Sequence, residues 1–259
     1  MKQSMMRFQR RGTLILALAA ALAVVALAVP ATARSGTKAK GIDVSRFNGA
    51  IDWPAVRRAG IKFAFIAASR GSGLDCTVRP ESCGPDPLFA GNRLAARGAG
   101  VRVGAYHRAF ASGATRAEAR ADAWAEADVF TAQVGALDRG ELIPVLDVET
   151  PFVALTQKRL RTWVYAWLKR VRKRLRVRPM IYTNATSWGA TGDTTQFARA
   201  GHRLWVAEWG VSRPTVPAGG WAGHGFSVWQ YTSSGSVPGI SGRVDLNRLG
   251  VGLGKLTVR

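Results

Sequence analysis

Two carboxylates, Asp147 and Glu149, follow a short apolar segment in the sequence IPVLDVETP, which runs from Ile143 to Pro151. Alternate residues of an extended strand point to the same side, so both carboxylates share one face. Like charges at this separation repel each other, and burial would add to the free-energy cost. The pair therefore either lies in solvent at a strand end or takes part in proton-transfer chemistry.

Other acidic, amide and aromatic side chains also follow predicted strands. Asp43 lies in GIDVS and Asp245 in RVDLN, and three further strand ends carry Tyr182 with Asn184, Glu208 with Trp209, and Trp229 with Gln230. A single residue of this kind is more often a helix cap or a loop hydrogen-bond acceptor. A whole set of them favours a functional site, because such groups gather at the carboxyl ends of barrel strands.

Carboxylates interleaved with aromatic rings are typical of a sugar-binding site. Aromatic rings stack on the apolar faces of pyranoses, and polar side chains bind the hydroxyl groups. Carboxyl groups supply the acid, base or nucleophile of glycoside hydrolysis. Repulsion between Asp147 and Glu149 would raise the pKa of one of them, and we expect it to keep Glu149 protonated near neutral pH.

The elements that position these residues follow a glycine spacing of about forty residues. Gly60, Gly100 and Gly140 each precede a strand-like run and are predicted to end a helix. Helical patterns cover residues 115–134 and 156–175, whereas the last strands are only about twenty residues apart. The predicted fold class is α/β, a single irregular β/α barrel with about five βα units followed by three closing strands.

The ends of the chain have a different composition from this barrel, which we assign to residues 41–250. Residues 1–33 combine four cations, an apolar run and a small-x-small site, the pattern of a cleaved secretory signal peptide, although a retained anchor is the alternative. A short segment, 34–40, and a tail, 251–259, complete the chain. We therefore expect a secreted protein, extracellular or associated with the cell wall, with no membrane span after cleavage.

The cysteine and histidine content argues against a metal site. The two cysteines, Cys76 and Cys83, are predicted to form a small loop disulfide in an exported chain. No second Cys or His pair has the spacing of a zinc site, and His107, His202 and His224 are scattered, so each is interpreted as a packed or ordinary polar histidine. We expect neither a metal nor a cofactor.

The formal net charge is +21, and only four of the cations lie in the predicted signal peptide. Such a charge indicates an anionic partner, either a nucleic acid or the anionic polymers of a bacterial-type wall. The basic face of the helix at 156–175 could bind a membrane or nucleic acid, although a solvated outer face is the commoner meaning. No nucleic-acid-binding motif accompanies the charge, so no specific nucleic-acid partner is expected.

A set of segments in order resembles the family 25 glycoside hydrolases, which are secreted lysozymes. The segments are GIDVSRFNGAIDWPAVRRAGIKFAFI, DPLFAGNRLAARGAGVRVGAYH, IPVLDVE, IYTN, LWVAEWG and VWQYTSSGSVPGISGRVDLNRL, and they extend from about residue 41 to 249. The resemblance implies a β/α barrel that hydrolyses the β-1,4 bond between N-acetylmuramic acid and N-acetylglucosamine in peptidoglycan.

The resemblance also implies roles for individual residues. Glu149 corresponds to the general acid/base, and Asp147 corresponds to a partner that orients the N-acetyl group of the substrate in a substrate-assisted route, a departure from the two-carboxylate schemes. Asp43 and Asp245 match the remaining catalytic acids. Substrate contacts are expected from the aromatic and amide side chains at the strand ends, namely Tyr106, Tyr182, Asn184, Trp209, Trp229 and Gln230.

Two features depart from the family pattern. The second strand of the family often ends in a Thr-Glu-Gly type sequence, and here it ends in Ser69, Arg70 and Gly71, so a base replaces an acid. The Cys76–Cys83 segment is an additional loop beside it. The expected protein is a monomer that binds peptidoglycan and anionic wall polymers, and the alternative is a wall-binding barrel without catalysis.

Overall fold

The computed structural model of the protein describes residues 39–72 and 83–259. The predicted signal peptide, most of the 34–40 segment and Cys76 lie outside the described residues. Cys83 is disulfide-bonded, and its pairing with Cys76 stays a prediction. In the part of the chain that the structure describes, no helix is long and apolar enough to cross a membrane.

The described chain is built around a closed eight-stranded barrel to which one short strand is added. Its strands in chain order are β1 (Lys40–Val44), β2 (Ile61–Arg70), the added β3 (Gly84–Pro85), β4 (Arg102–Arg108), β5 (Val145–Asp147), β6 (Met180–Thr183), β7 (Leu204–Ala207), β8 (Val228–Gly235) and β9 (Val244–Leu249). Around the barrel the neighbours from β1 to β8 are parallel, and β9 is antiparallel to both β8 and β1. This confirms the predicted barrel of five βα units and three closing strands.

Helices on the outside connect these strands. They are α1 (Trp53–Arg58), α2 (Phe89–Gly98), α3 (Arg116–Val134), α4 (Gln157–Leu175), α5 (Ala185–Gly189) and α6 (Gln196–Arg199), and a left-handed turn spans Pro217–Ala222. The two long helices begin at capping threonines, since Thr115 Oγ1 accepts from Glu118 N and Thr156 Oγ1 accepts from Arg159 N. Both agree with the predicted helical ranges.

One helix end differs from the prediction. Gly60 and Gly100 follow α1 and α2 with positive φ angles of 91° and 77°, as expected for glycines after helix ends. Gly140 does not end a helix, because α3 ends at Val134 and its C-cap is Gly135. Gly140 instead lies in a later turn, where its N–H donates to Val258 O.

Two apolar cores hold the barrel. The inner core fills the barrel with Phe63, Phe65, Leu142, Val145, Met180, Trp205 and Val228, and the outer core packs the helices against the barrel with residues such as Trp163, Trp167 and Trp188. Gly104 allows Phe65 and Leu142 to approach, since an added Cβ would lie 2.7 Å from Leu142 Cβ. The residues at 251–259 are part of this fold and not a separate tail, because Leu256 is fully buried in the inner core.

A fully buried polar network lies between β2, β4 and α3. His107 Nδ1 is 2.8 Å from Ser69 Oγ, and His107 Nε2 is 2.6 Å from Glu126 Oε2. Burial lowers the pKa of His107 to about 3 and, together with the charge of Asp122, raises the pKa of Glu126 well above its usual value. Ser, His and Glu in this order resemble a hydrolytic triad, but all three are at most 1% exposed, so they hold the structure together.

We expect Glu126→Gln to gain stability relative to wild type as the pH rises. The raised pKa means that the folded protein keeps a proton on Glu126 up to a higher pH than the unfolded chain does, so the stabilising contribution of Glu126 is full below about pH 4.5 and is lost as the pH rises through the folded-state pKa. Glutamine mimics the protonated side chain and does not ionise. Thermal unfolding should show the variant gaining roughly 3 °C or more on wild type between about pH 4 and pH 8. A constant difference across this range would contradict the assignment.

Candidate active site

A cavity of about 240 Å³, here called the cleft, opens at the carboxyl ends of the barrel strands. Four carboxylates line it, Asp43, Asp147, Glu149 and Asp245. The remaining lining residues are Arg70, Tyr106, Arg108, Tyr182, Trp205, Trp209, Gln230 and Ser233. Barrel closure therefore brings together strand ends that are up to about two hundred residues apart in the sequence.

Asp43 and Asp245 face each other across the antiparallel pair β1 and β9. Burial and the neighbouring charge of Asp245 raise the pKa of Asp43 well above its usual value, and burial also raises the pKa of Asp245. Asp43 accepts hydrogen bonds from Asn247 Nδ2 at 2.7 Å and from Gln230 Nε2 at 3.0 Å. The side chain of Asp245 adds to the rise in the pKa of Asp43, whereas that of Asp43 opposes the rise in the pKa of Asp245.

Gln230 is held in one orientation by donors on its oxygen. Its Oε1 accepts from Tyr182 Oη at 3.0 Å and from Trp209 Nε1 at 3.1 Å, so its Nε2 amino group is directed at Asp43. On the other side of Asp43, Trp205 Nε1 donates to Asn247 Oδ1 at 2.8 Å. The floor of the cleft is thus a connected hydrogen-bond network with a fixed geometry.

Asp147 and Glu149 share a single cation. Arg108 Nη1 lies 3.6 Å from Asp147 Oδ1, and Arg108 Nη2 lies 3.5 Å from Glu149 Oε2. Arg108 is anchored by bonds to the carbonyl oxygens of Glu149 and Thr150, at 3.1 and 3.2 Å. Both carboxylates therefore lie beside one guanidinium group at the same side of the cleft, as predicted, although β5 ends at Asp147 and Glu149 lies just beyond it.

Asp147 has a raised pKa. Burial raises the pKa of Asp147 well above its usual value, Arg108 opposes that shift, and the charge of Glu149 adds to it. The sequence led us to expect repulsion between the two carboxylates as the cause of a raised pKa, whereas burial is the principal cause at Asp147. That Glu149 is protonated near neutral pH stays a prediction. Asp147 Oδ1 is buried and accepts no hydrogen bond from the described residues, so it is available to a donor on a ligand.

Two predicted substrate contacts lie away from the cleft. Trp229 is 6% exposed and packs in the outer core, where its Nε1 donates to Glu208 O at 2.8 Å. Strand alternation explains this difference, since Gln230 faces the cleft and its neighbour must face outward. Asn184 caps α5, and its Oδ1 accepts from Ser187 N at 2.8 Å. The other predicted residues, Tyr106, Tyr182 and Trp209, line the cleft.

Several residues that line the cleft or support it from below were not identified from the sequence. Arg108, Trp205 and Asn247 belong to predicted strands, but their types are also common in ordinary strands and strand ends. The register of β4 beside β2 pairs Arg108 with Arg70, which a strand alignment could have detected. None of the three histidines is among the described residues that line the cleft, and no group of three metal-ligating side chains is found within residues 39–72 and 83–259.

A β/α barrel with paired carboxylates and aromatic rings at the carboxyl ends of its strands defines the class of protein. The protein is therefore a glycoside hydrolase. The family model described as "Glycosyl hydrolases family 25" matches residues 42–240, most of the described chain. The chain belongs to this family.

Known relatives support this assignment. The chain is 36% identical over 220 residues to Lysozyme M1 of Streptomyces globisporus, an alignment that covers 81% of this chain and 67% of the relative. It is 30% identical over 225 residues to the N,O-diacetylmuramidase of Arthroderma benhamiae, covering 84% and 86%. The solved lysozyme of Streptomyces coelicolor superposes with a TM-score of 0.72 at 34% identity, covering 85% of this chain and 96% of that one.

Proposed function

We propose that the protein is a secreted lysozyme that hydrolyses the β-1,4 bond between N-acetylmuramic acid and N-acetylglucosamine in peptidoglycan. The observation that carries the proposal is the pair of carboxylates held by Arg108 at one side of an aromatic-lined cleft. Membership of the family and relatives named as lysozymes and muramidases support the substrate.

In this mechanism Glu149 donates a proton to the leaving oxygen and later activates a water molecule. Its side chain is 27% exposed, which gives it access to both. Asp147 accepts a hydrogen bond from the N–H of the substrate's acetamido group through the unpartnered Oδ1, so that the acetamido oxygen is directed at the anomeric carbon. Asp43, at the floor of the cleft, and its strand partner Asp245 bind sugar hydroxyl groups, and hydrogen bonds from Gln230 and Asn247 hold Asp43 in place.

Digestion of purified peptidoglycan tests the proposal directly. We expect new reducing ends on muramic acid, identified by mass spectrometry of the released fragments. Wall binding without any new reducing ends would favour the non-catalytic barrel, and reducing ends on glucosamine would assign a different bond. The same assay compares walls from different bacteria.

We expect Trp209→Ala to raise KM for soluble glycan fragments about tenfold, because the ring lies 54% exposed beside the cleft and can stack on a pyranose. Trp209 also donates to Gln230, so Trp209→Phe separates the two roles by keeping a ring without the donor. Steady-state kinetics of both variants is the measurement. An unchanged KM in Trp209→Ala would exclude stacking at this position.

The positive charge of the protein supports a second part of the proposal, the binding of anionic wall polymers. A basic groove of about 940 Å³ lies along α3 and α4, and the described residues that line it include no carboxylate. Its cations are Arg116, Arg120, Lys158, Arg161, Lys169 and Arg172, beside the exposed rings of Trp124 and Tyr165. A phosphate-bearing polymer has the complementary charge.

We expect the double variant Arg120→Gln, Lys158→Gln to bind isolated cell walls severalfold more weakly at low salt and to lose part of the salt dependence of wild type. Both side chains are exposed and line the basic groove. Sedimentation of protein with walls across a salt series is the measurement. The matched control, Arg58→Gln, Arg139→Gln, removes two exposed charges elsewhere, and an equal loss in the control would show that only net charge matters.

A further inference from the structure

Three arginines gather where β2, β4 and the turn after β1 meet. Arg46 lies 3.5 Å from Asp86, and Arg108 lies within 3.6 Å of both Asp147 and Glu149. Arg70 lines the cleft beside Arg108, its register partner across the parallel pair β2 and β4. Within residues 39–72 and 83–259 no carboxylate forms an ion pair with Arg70, and Asp147 acts on its charge only from beyond ion-pair distance.

The guanidinium group of Arg70 is held by aromatic rings and not by acceptors. Its Cζ lies 5.0 Å from the ring centroid of Phe47 and 5.5 Å from that of Phe110. Such contacts engage the face of the guanidinium group and leave its in-plane N–H donors available. Arg70 Nε is buried and has no hydrogen-bond partner among the described residues, a costly state that a bound acceptor would relieve.

The buried network beneath fixes this arrangement. Ser69 precedes Arg70 on β2, and His107 precedes Arg108 on β4. The contact between Ser69 Oγ and His107 Nδ1, at 2.8 Å, links the two strands at this point. Glu126, which contacts His107, also accepts from Phe110 N at 3.2 Å. The backbone of Arg70, Arg108 and Phe110 is therefore held in place before a ligand arrives, which lowers the entropy cost of binding.

We propose that Arg70 is an anion-binding residue of the cleft that binds a carboxylate of the glycan substrate through its in-plane N–H donors. A planar carboxylate fits the fork of a guanidinium group. The positive charges of the adjacent Arg70 and Arg108 repel each other, and a bound anion would offset that repulsion. The inference rests on the proposed function and specifies its substrate. Two carboxylates of peptidoglycan could be the ligand of Arg70: that of a peptide-free muramoyl lactyl group and that of a stem peptide.

Kinetics on matched substrates test the proposal. The proteins compared are wild type, Arg70→Gln and Arg70→Lys. Each is measured on three substrates: peptide-free glycan strands with free lactyl carboxylates, the same strands converted to neutral methylamides, and strands bearing stem peptides. We expect Arg70→Gln to raise KM about tenfold on the carboxylate that is bound, and Arg70→Lys to fall between wild type and Arg70→Gln because it keeps the charge without the fork. On the matching neutral substrate the three proteins should agree within about twofold.

The possible outcomes distinguish the two sources of the carboxylate, and they distinguish failure of this inference from failure of the proposed function. An effect confined to peptide-free strands identifies the lactyl carboxylate, and an effect confined to peptide-bearing strands, abolished by amidation, identifies the stem peptide. Equal KM ratios on charged and neutral substrates would overturn the inference while leaving hydrolysis intact, whereas absence of turnover on every substrate would refute the proposed function. If Arg70→Gln fails to fold, wild type alone decides, because it should then prefer the carboxylate to the methylamide about tenfold in KM.

Discussion

Glu149→Gln is expected to lower kcat on peptidoglycan by roughly 10³-fold or more while leaving the fold and wall binding intact. General acid and base catalysis contributes about 10²–10⁴-fold, and in the proposed mechanism Glu149 acts in both steps. Glutamine keeps the shape of the side chain, and the backbone oxygen of Glu149 that anchors Arg108 is unaffected. KM should change little, because the substitution removes a proton donor and not a contact surface.

Release of reducing ends, with thermal unfolding as a check of the fold, measures this effect. The matched control is Glu208→Gln, the same chemical change at another strand end, where the carboxylate bonds to Thr215 and does not line the cleft. The control should keep kcat within about twofold of wild type. A Glu149→Gln enzyme with near-normal turnover would remove Glu149 from the chemistry and reopen the wall-binding alternative.

Asp147→Asn is expected to lower kcat by roughly 10²–10³-fold, the size of effect known for one preorganised electrostatic contact in a transition state. Asp147 Oδ1 is buried, lies 3.6 Å from Arg108 Nη1 and accepts no hydrogen bond from the described residues. An acetamido N–H of the substrate would satisfy it, and Asn could place an N–H group there instead. The acetamido group would then lose the acceptor that directs its oxygen at the anomeric carbon.

A substrate comparison distinguishes this role from a structural one. Wild type should lose most of its activity on N-deacetylated glycan, and Asp147→Asn should lose little more on that substrate, because both changes remove the same interaction. Additive losses would contradict substrate assistance. Asp138→Asn is a suitable control, since its side chain is 56% exposed and pairs with Arg97 away from the cleft.

Much of the fold was predictable because it depends on local patterns. Helical patterns in the sequence located α3 and α4, and the shortened spacing after residue 180 predicted the closing strands. The error at Gly140 has a simple cause. The helix before it ends five residues earlier at a different glycine, Gly135, and a left-handed glycine serves either a helix end or a turn.

The site was predictable only in part. Period-two alternation and strand-end position placed Asp43, Asp147, Glu149 and Asp245 in one cleft, and the structure agrees. Alternation alone could not decide which of Trp229 and Gln230 faces the interior. That choice depends on the register of β8 between β7 and β9, which buries Trp229 under the outer layer.

The sequence by itself determined the βα order of the chain, the acids at its strand ends and its strongly basic character, because these follow from short-range periodicity and composition. Only the tertiary structure decided that Arg108 lies close to both Asp147 and Glu149, that burial contributes more than repulsion to the raised pKa of Asp147, and that no carboxylate among the described residues forms an ion pair with Arg70. Burial and pairing arise from contacts between strands distant in sequence, and no local pattern encodes them.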